Sequence, residues 1–320
     1  LKAVKKIGVN YIKKKNYIAI SGVGINGFNL RKKKIINAGN SGTLARCILG
    51  LCSAIDGSIK LIGDRSLSKR DFSRVIKPLN MFGANIKSKN GILPVELSGS
   101  NLLRPISYFE DKGSAQIKTC IILSAINTPG ITKIKAKKSR NHTELMLKNL
   151  NYPIKINQTK NYDLIEIKGL EQFQAFNYNV PGDISSASFF LVLTLLSKNS
   201  ELIIQKVNIN PSRIGIIKIL KAMNAKIQII NKINYKNELL ADIKVKSTNN
   251  YKSINCPESI NSSAIDEFLL IFLVAAKCNG VSVFKNLGEL NKKESPRLDI
   301  SINFLKMIGV KVVRKKNDLK

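Results

Sequence analysis

A chain of 320 residues, 44% of them apolar, is long enough for two domains with full cores and too apolar to be disordered. Its formal net charge of +32 comes from 53 Lys and Arg spread along a background rich in Ile and Asn, without Trp and with sparse Tyr and Phe. The stacking platforms of a nucleic-acid binder are therefore missing, and the charge reads as solvated faces whose field draws in small anions. A single histidine, His142, and five cysteines without ligand spacing argue against a zinc site and a Ser-His-Asp triad.

The chain opens on an amphipathic helix tail stopped at Gly8, followed by alternating strand-like residues to Ser21. Next comes Asn37-Ala38-Gly39-Asn40-Ser41-Gly42-Thr43-Leu44-Ala45-Arg46, small and amide residues running into the apolar stretch Cys47 to Cys52. That is the pattern of a loop opening into a buried helix. The first turn of such a helix offers free N–H groups to an anion, and Gly42 lets a ligand approach the backbone.

A helix-stop phrase then recurs at intervals of about 70 to 85 residues. Its stop residues are Gly8, Gly83, Asn151, Asn224 and Gly309, all types that tolerate a left-handed backbone. Between stops the order repeats: a strand such as Ser58 to Ile62, a polar loop, a helix ending at the stop, a strand pair such as Ala84 to Ser88 with Leu93 to Leu97, then a second helix. The second helices begin near Ser41-Gly42-Thr43, Gly113-Ser114-Ala115, Gly182-Asp183-Ile184 and Ser262-Ser263-Ala264, with bodies too apolar on every side for a surface. An α/β (α+β) architecture of repeated small sheet-and-helix units follows. Val180-Pro181-Gly182-Asp183 is the candidate crossing between two domains, 1–179 and 180–320.

The polar loops carry charged clusters, Gly63 to Arg70, Lys137 to Glu144 and Asn291 to Arg297. Arginine forks suit carboxylate and phosphate, so Arg70 and Arg297 are the natural clamps. Asp266, at the front of an apolar run, either charges a helix start or serves as a base, and Glu294 is the second acid for a division of acid and base work. The longest apolar runs, Phe189 to Leu196 and Phe268 to Ala276, are too short to cross a bilayer. Unpaired cysteines in apolar segments point to a cytoplasmic protein.

Several of these segments resemble 5-enolpyruvylshikimate-3-phosphate synthases. Gly39-Asn40-Ser41-Gly42-Thr43 with Arg46 is similar to the family's G-N-[SA]-G-T-x-x-R, and Ser66-Leu67-Ser68-Lys69-Arg70 to its S-L-x-K-R. Ser114-Ala115-Gln116-Ile117-Lys118 resembles S-A-Q-x-K, and Ser139 to Glu144 resembles S-R-D-H-T-E. Val180 to Asp183 is similar to V-P-G-D, and Lys293-Glu294-Ser295-Pro296-Arg297 to K-E-S-D-R. The resemblance covers essentially the whole chain. It implies a monomer with two domains of three repeats each, about five of the six repeats being present, closing over their substrates, with no metal or organic cofactor.

Position by position, the resemblance implies that Ser114, Ala115, Gln116, Ser139, Arg140, Asp266 and Lys293 hold shikimate 3-phosphate. Gly42, Arg70, Gln116 and Arg297 hold phosphoenolpyruvate. Asp266 is the implied proton acceptor, and Glu294 takes part in proton transfer at the enolpyruvyl carbons. The implied activity is transfer of the enolpyruvyl group of phosphoenolpyruvate to the 5-hydroxyl of shikimate 3-phosphate, releasing phosphate. The related transferase acting on UDP-N-acetylglucosamine is the alternative; it normally carries a reactive loop cysteine, and the Ser114 and Ser139 motifs argue against it. A basic nucleic-acid-binding repeat protein is the alternative of another class. Pro296 stands where the family has Asp, and Asn291 where it has Arg. The family's N-terminal Lys-Ser…Arg motif and its D-H-R segment with a final lysine have no counterpart, so the chain reads as a fragment cut at both ends and inactive alone.

Overall fold

The computed structural model of the chain describes residues 1–25, 27–293 and 295–320. It divides into two units, Leu1–Asn177 and Tyr178–Lys320, each with its own apolar core.

The first unit opens with α1 (Lys2–Lys6) and the hairpin of β1 (Asn10–Lys13) and β2 (Ile18–Ser21). A βαβαββ unit follows: β3 (Leu30–Asn37), α2 (Gly42–Ser53), β4 (Gly57–Ile62), α3 (Ser73–Phe82), β5 (Asn85–Ser88) and β6 (Val95–Gly99). β3 and β4 run parallel, which requires the α2 crossover, and β6 lies antiparallel between β4 and β5. The same connectivity returns in β7 (Ser107–Glu110), α4 (Ala115–Ile126), β8 (Ile131–Lys137), α5 (His142–Asn149), β9 (Ile154–Gln158) and β10 (Tyr162–Lys168), with sheet order β7-β8-β10-β9. The β7-β8-β10-β9 sheet has one wet face. Along β8, Thr132, Ile134 and Ala136 are buried while the intervening lysines are exposed. The crossover helices α2 and α4 touch backbone to backbone: a Cβ on Gly50 would stand 2.2 Å from the Cys120 carbonyl oxygen. Ser53 Oγ and Ser124 Oγ join the two helices at 2.8 Å.

In the second unit Gly182 forms a lone parallel bridge to Val207, occupying the place of the first strand. Then come α6 (Ile184–Leu196), β11 (Glu201–Asn208), α7 (Gly215–Ala222), β12 (Lys226–Tyr235) and β13 (Glu238–Lys246), with sheet order β11-β13-β12. The last copy is β14 (Asn255–Cys256), α8 (Phe268–Ala275), β15 (Val283–Phe284), α9 (Arg297–Met307), β16 (Arg314–Lys315) and β17 (Asp318–Leu319), in the order β14-β15-β17-β16.

The five stop residues explain why the copies superpose in sequence. Gly8, Gly83, Asn151, Asn224 and Gly309 have φ of 97°, 105°, 53°, 68° and 83°. After each one the next N–H reaches back to close the helix: Val9 to Val4, Ala84 to Leu79, Tyr152 to Leu147, Ala225 to Leu220 and Val310 to Leu305, at 2.9 to 3.1 Å. The residue pairs so joined are apolar in all five copies, which is the hydrophobic contact of a Schellman end.

Two expectations are corrected. The helix expected from Ser262 begins only at Phe268, because Glu258–Ser263 winds as a 3-10 turn first. Nor is every crossover helix enclosed: α6 leaves Phe189, Phe190 and Leu193 at 62%, 58% and 63% exposure, since no described element packs on that face. Among the described residues no helix is long and apolar enough to cross a membrane.

Candidate active site

The loop between β3 and α2 is shaped by its own side chains. Asn37 Oδ1 accepts from the Gly39 N–H at 2.8 Å, and Ser41 Oγ caps the helix on the Leu44 N–H at 3.1 Å. Asp64 holds the facing loop, accepting from Leu67 N–H at 2.7 Å and from Asn40 Nδ2 at 2.6 Å. The 3-10 turn Leu67–Lys69 then delivers Arg70 onto Gly42, where a Cβ would lie 2.5 Å from Arg70 Nη1 and 2.8 Å from Arg46 Nη1. Two guanidiniums thus share the space a side chain would fill.

Arg46, buried one turn into α2, donates to the Gly42 carbonyl at 3.3 Å, to Gln116 Oε1 at 3.0 Å and to the Asp71 carbonyl at 3.1 Å, with its guanidinium 4.9 Å from the Phe72 ring centre. These acceptors are neutral. Burial and the neighbouring Arg70 charge push Arg46 down to about 10. Gln116 is fixed from its other end, donating to Thr43 Oγ1 at 2.9 Å. Gly42, Arg70 and Gln116 therefore come together, with Arg46 as a fourth member to which the sequence reading gave no role. Its signal was an arginine four residues after Gly42, inside an apolar helix.

Ser114 begins α4, its Oγ accepting from the Ile117 N–H at 3.4 Å, and Ala115 is the first helical residue. The turn before it is tied to buried Glu110, which accepts from the N–H groups of Lys112 at 3.0 Å and Ser114 at 3.1 Å. Burial pushes the Glu110 carboxyl up, and those backbone bonds only partly offset it. Ser139 and Arg140 immediately precede α5 and are half-buried; Ser139 Oγ is buried without a hydrogen-bond partner among the described residues. Lys118 on α4 pairs with Glu144 on α5 at 2.6 Å.

In the second unit Asp266 lies in the turn before α8 rather than at the helix start expected for it. Arg297 Nη1 donates to Asp266 Oδ1 at 2.7 Å, and Lys293 Nζ is 3.4 Å from the same oxygen. Glu294 lies outside the described residues. Pro296 cannot cap α9, and Asn291 replaces it: Asn291 Oδ1 accepts from the N–H groups of Leu298 at 2.9 Å and Asp299 at 3.3 Å. Asn291 thus supplies the cap that Pro296 does not give. A further network went unread in the sequence. Arg213 Nη2 donates to Asp183 Oδ1 and Ser185 Oγ, each at 2.7 Å, and Ser185 in turn donates to buried Glu267. Burial works to raise the Asp183 carboxyl, but Arg213 and the Ser186 N–H and hydroxyl outweigh it and hold the group below the usual carboxylate range.

Repeated βαβαββ units with arginines and small residues gathered at crossover-helix starts define an enzyme of small anionic substrates. The chain belongs to the EPSP synthase (3-phosphoshikimate 1-carboxyvinyltransferase) family, whose profile matches residues 1–320. It is 40% identical over 314 residues to the 3-phosphoshikimate 1-carboxyvinyltransferase of Ruthia magnifica subsp. Calyptogena magnifica, covering 97% of this chain and 70% of that one. The enzyme of the same name from Legionella pneumophila (strain Corby) is 37% identical over 312 residues, covering 97% and 71%. The structure of EPSP synthase from Acinetobacter baumannii superposes with a TM-score of 0.85 at 34% identity, over 100% of this chain and 72% of that one.

Proposed function

We propose that the chain is a 3-phosphoshikimate 1-carboxyvinyltransferase, moving the enolpyruvyl group of phosphoenolpyruvate to the 5-hydroxyl of shikimate 3-phosphate with release of phosphate, within aromatic amino acid biosynthesis. The observation that carries this reading is the pair of guanidiniums, Arg46 and Arg70, against Gly42 beside Gln116. A cationic fork with a helix start beneath it suits an anion bearing both carboxylate and phosphate. In this reading Gly42, Arg70, Gln116 and Arg297 bind phosphoenolpyruvate. Ser114, Ala115, Gln116, Ser139, Arg140, Asp266 and Lys293 bind shikimate 3-phosphate, and the unpartnered Ser139 hydroxyl supports that assignment. The protein acts as a monomer in the cytoplasm, on small anions and without a nucleic-acid partner.

The chemistry sets the remaining roles. The hydroxyl oxygen adds to the central carbon of phosphoenolpyruvate, so the hydroxyl must lose a proton and the terminal carbon must gain one. Loss of phosphate then regenerates the double bond as that carbon gives a proton back. Asp266 is the acceptor for the hydroxyl, and Glu294 serves the carbon. The bond from Arg297 to Asp266 makes the order of events meaningful. An anion that engages Arg297 draws that guanidinium from the carboxylate and frees Asp266 Oδ1 to accept from the hydroxyl, while Lys293 stays beside it.

In a chain extended at both ends to the length of the curated relatives, Asp266→Asn keeps the shape and removes the basicity. Turnover, followed by phosphate release, falls by roughly 10²–10⁴ while calorimetric binding of shikimate 3-phosphate changes little. Turnover surviving within a factor of a few, or a loss confined to binding, would return Asp266 to the role of a substrate ligand or an ion-pair partner.

A further inference from the structure

The residues assigned to shikimate 3-phosphate in the first unit sit at the starts of two helices, Ser114 to Gln116 on α4 and Ser139 with Arg140 before α5. What fixes one start against the other lies just inside them. Lys118 Nζ and Glu144 Oε1 meet at 2.6 Å with side chains 0% and 2% exposed. One residue along on α4 and one back on α5, Thr119 Oγ1 and Thr143 Oγ1 meet at 2.7 Å. The two helices are therefore pinned at adjacent positions within one turn of the candidate ligands.

Stability does not account for this pair. Taking two charges out of water is costly, and well-packed apolar residues of similar volume usually serve a core as well or better. The pair is also poorly supported: apart from their mutual contact, Lys118 Nζ and Glu144 Oε2 are buried without hydrogen-bond partners among the described residues. What an ion pair supplies that apolar contacts do not is direction. Dispersion tolerates sliding, whereas a short charge-assisted contact fixes both distance and angle.

We propose that Lys118 and Glu144 are positioning residues, which hold Ser139 and Arg140 in register with Ser114 and Gln116 so that both helix starts address one substrate. The proposal rests on the assignment of those four residues to shikimate 3-phosphate. Neither member of the pair touches the substrate.

The test separates positioning from packing. Lys118→Met and Glu144→Leu each strand a buried charge, and each lowers both the melting temperature and the affinity for shikimate 3-phosphate. The double variant removes both charges. Its melting temperature returns to within a few degrees of the parent while calorimetric affinity for shikimate 3-phosphate stays about 10- to 100-fold weaker, the scale of one lost hydrogen bond to a charged group. The KM for phosphoenolpyruvate hardly moves, because Gly42 and Arg70 lie on neither helix and Gln116 stays tied to Arg46 and Thr43 of α2. Recovery of affinity together with melting temperature would overturn the proposal and leave a structural pair. Should the double variant not fold, the charge-conserving Lys118→Arg with Glu144→Asp decides: affinity about tenfold weaker in a folded protein supports positioning, and parental affinity overturns it. A parent protein that does not bind shikimate 3-phosphate would remove the assignment itself, and the proposal with it.

Discussion

The absence of a side chain at residue 42 is what brings two guanidiniums onto one turn of backbone. A Cβ there meets only the ends of Arg70 and Arg46, at 2.5 and 2.8 Å, and it is the half-buried Arg70 end that gives way, since three hydrogen bonds hold Arg46. Gly42→Ala is therefore expected to fold with nearly parental stability, within about 1 kcal/mol, yet to displace the fork. The kcat/KM for phosphoenolpyruvate falls about tenfold or more, with shikimate 3-phosphate binding little changed. Steady-state kinetics beside a thermal melt reads both, and unchanged kinetics would show that the fork does not hold this substrate. Gly42 and Arg70 stood out by their local chemistry, whereas Gln116 was reached only through the family resemblance of its segment, and the structure brings the three together. Arg46 was present in the same motif without a role, since no local pattern says that a helical arginine turns back to grip Gln116 seventy residues away. The cap that Asn291 gives α9 was hidden for a related reason: capping residues are looked for next to the helix, and this one precedes it by several positions. Asp266 was found as a residue and misplaced as an element, and its contact with Arg297 depends on a fold no local pattern contains.

Helix ends were the most legible elements because a left-handed residue is a local necessity. The five Gly and Asn stops all have positive φ, and each carries the same backward hydrogen bond. A quantitative consequence follows at Gly83. Its φ is 105°, and a Cβ would meet nothing nearer than Leu103 Cδ2 at 3.7 Å, so the space is free and only the backbone objects. Gly83→Ala costs about 1–2 kcal/mol, the strain of an L-residue in the left-handed region, and Asn151→Gly, at φ 53°, is neutral or mildly stabilising. Urea unfolding of the two variants compares them directly; a neutral Gly83→Ala would mean that this helix end relaxes rather than strains. Strand partnerships were less legible. β3 and β7 precede their crossover helices as first strands, and Gly182 does the same with one bridge, but parallel pairing is non-local and leaves no short-range mark. The start of α8 was read in the 3-10 turn that precedes it because Ser262 and Ser263 are good caps, and sequence does not distinguish a 3-10 turn from the first turn of an α-helix. The apolar face of α6 shows the opposite failure, since composition alone predicted burial where the structure leaves phenylalanines in solvent.

For the whole molecule, the excess of 53 basic over 21 acidic residues acts through the field rather than through any one contact. Lysines alternate with apolar residues along strands such as β8, whose wet face they cover, and Lys135 lies 5.2 Å from the Phe109 ring centre and 4.7 Å from that of Tyr162. Such charges are solvated and contribute little pairwise stability. Together they make a positive surface, and both proposed substrates are anions that must cross it. Electrostatic capture raises encounter rates by about 10- to 1,000-fold and weakens as the Debye length shrinks from about 10 Å at 0.1 M salt toward 3 Å at 1 M. Turnover in the bound complex, where the charges are in contact and water is displaced, is far less sensitive. The expectation is that kcat/KM for phosphoenolpyruvate falls several-fold between roughly 0.03 and 0.3 M sodium chloride while kcat stays nearly constant. Competition by the added anion would imitate this trend, so the series is repeated with sulfate at matched ionic strength. Screening predicts that the two salts superpose when plotted against ionic strength, whereas occupation of the Arg70 fork predicts a much steeper loss with sulfate. A flat response to both salts would show that the basic surface plays no part in substrate capture and reflects composition alone.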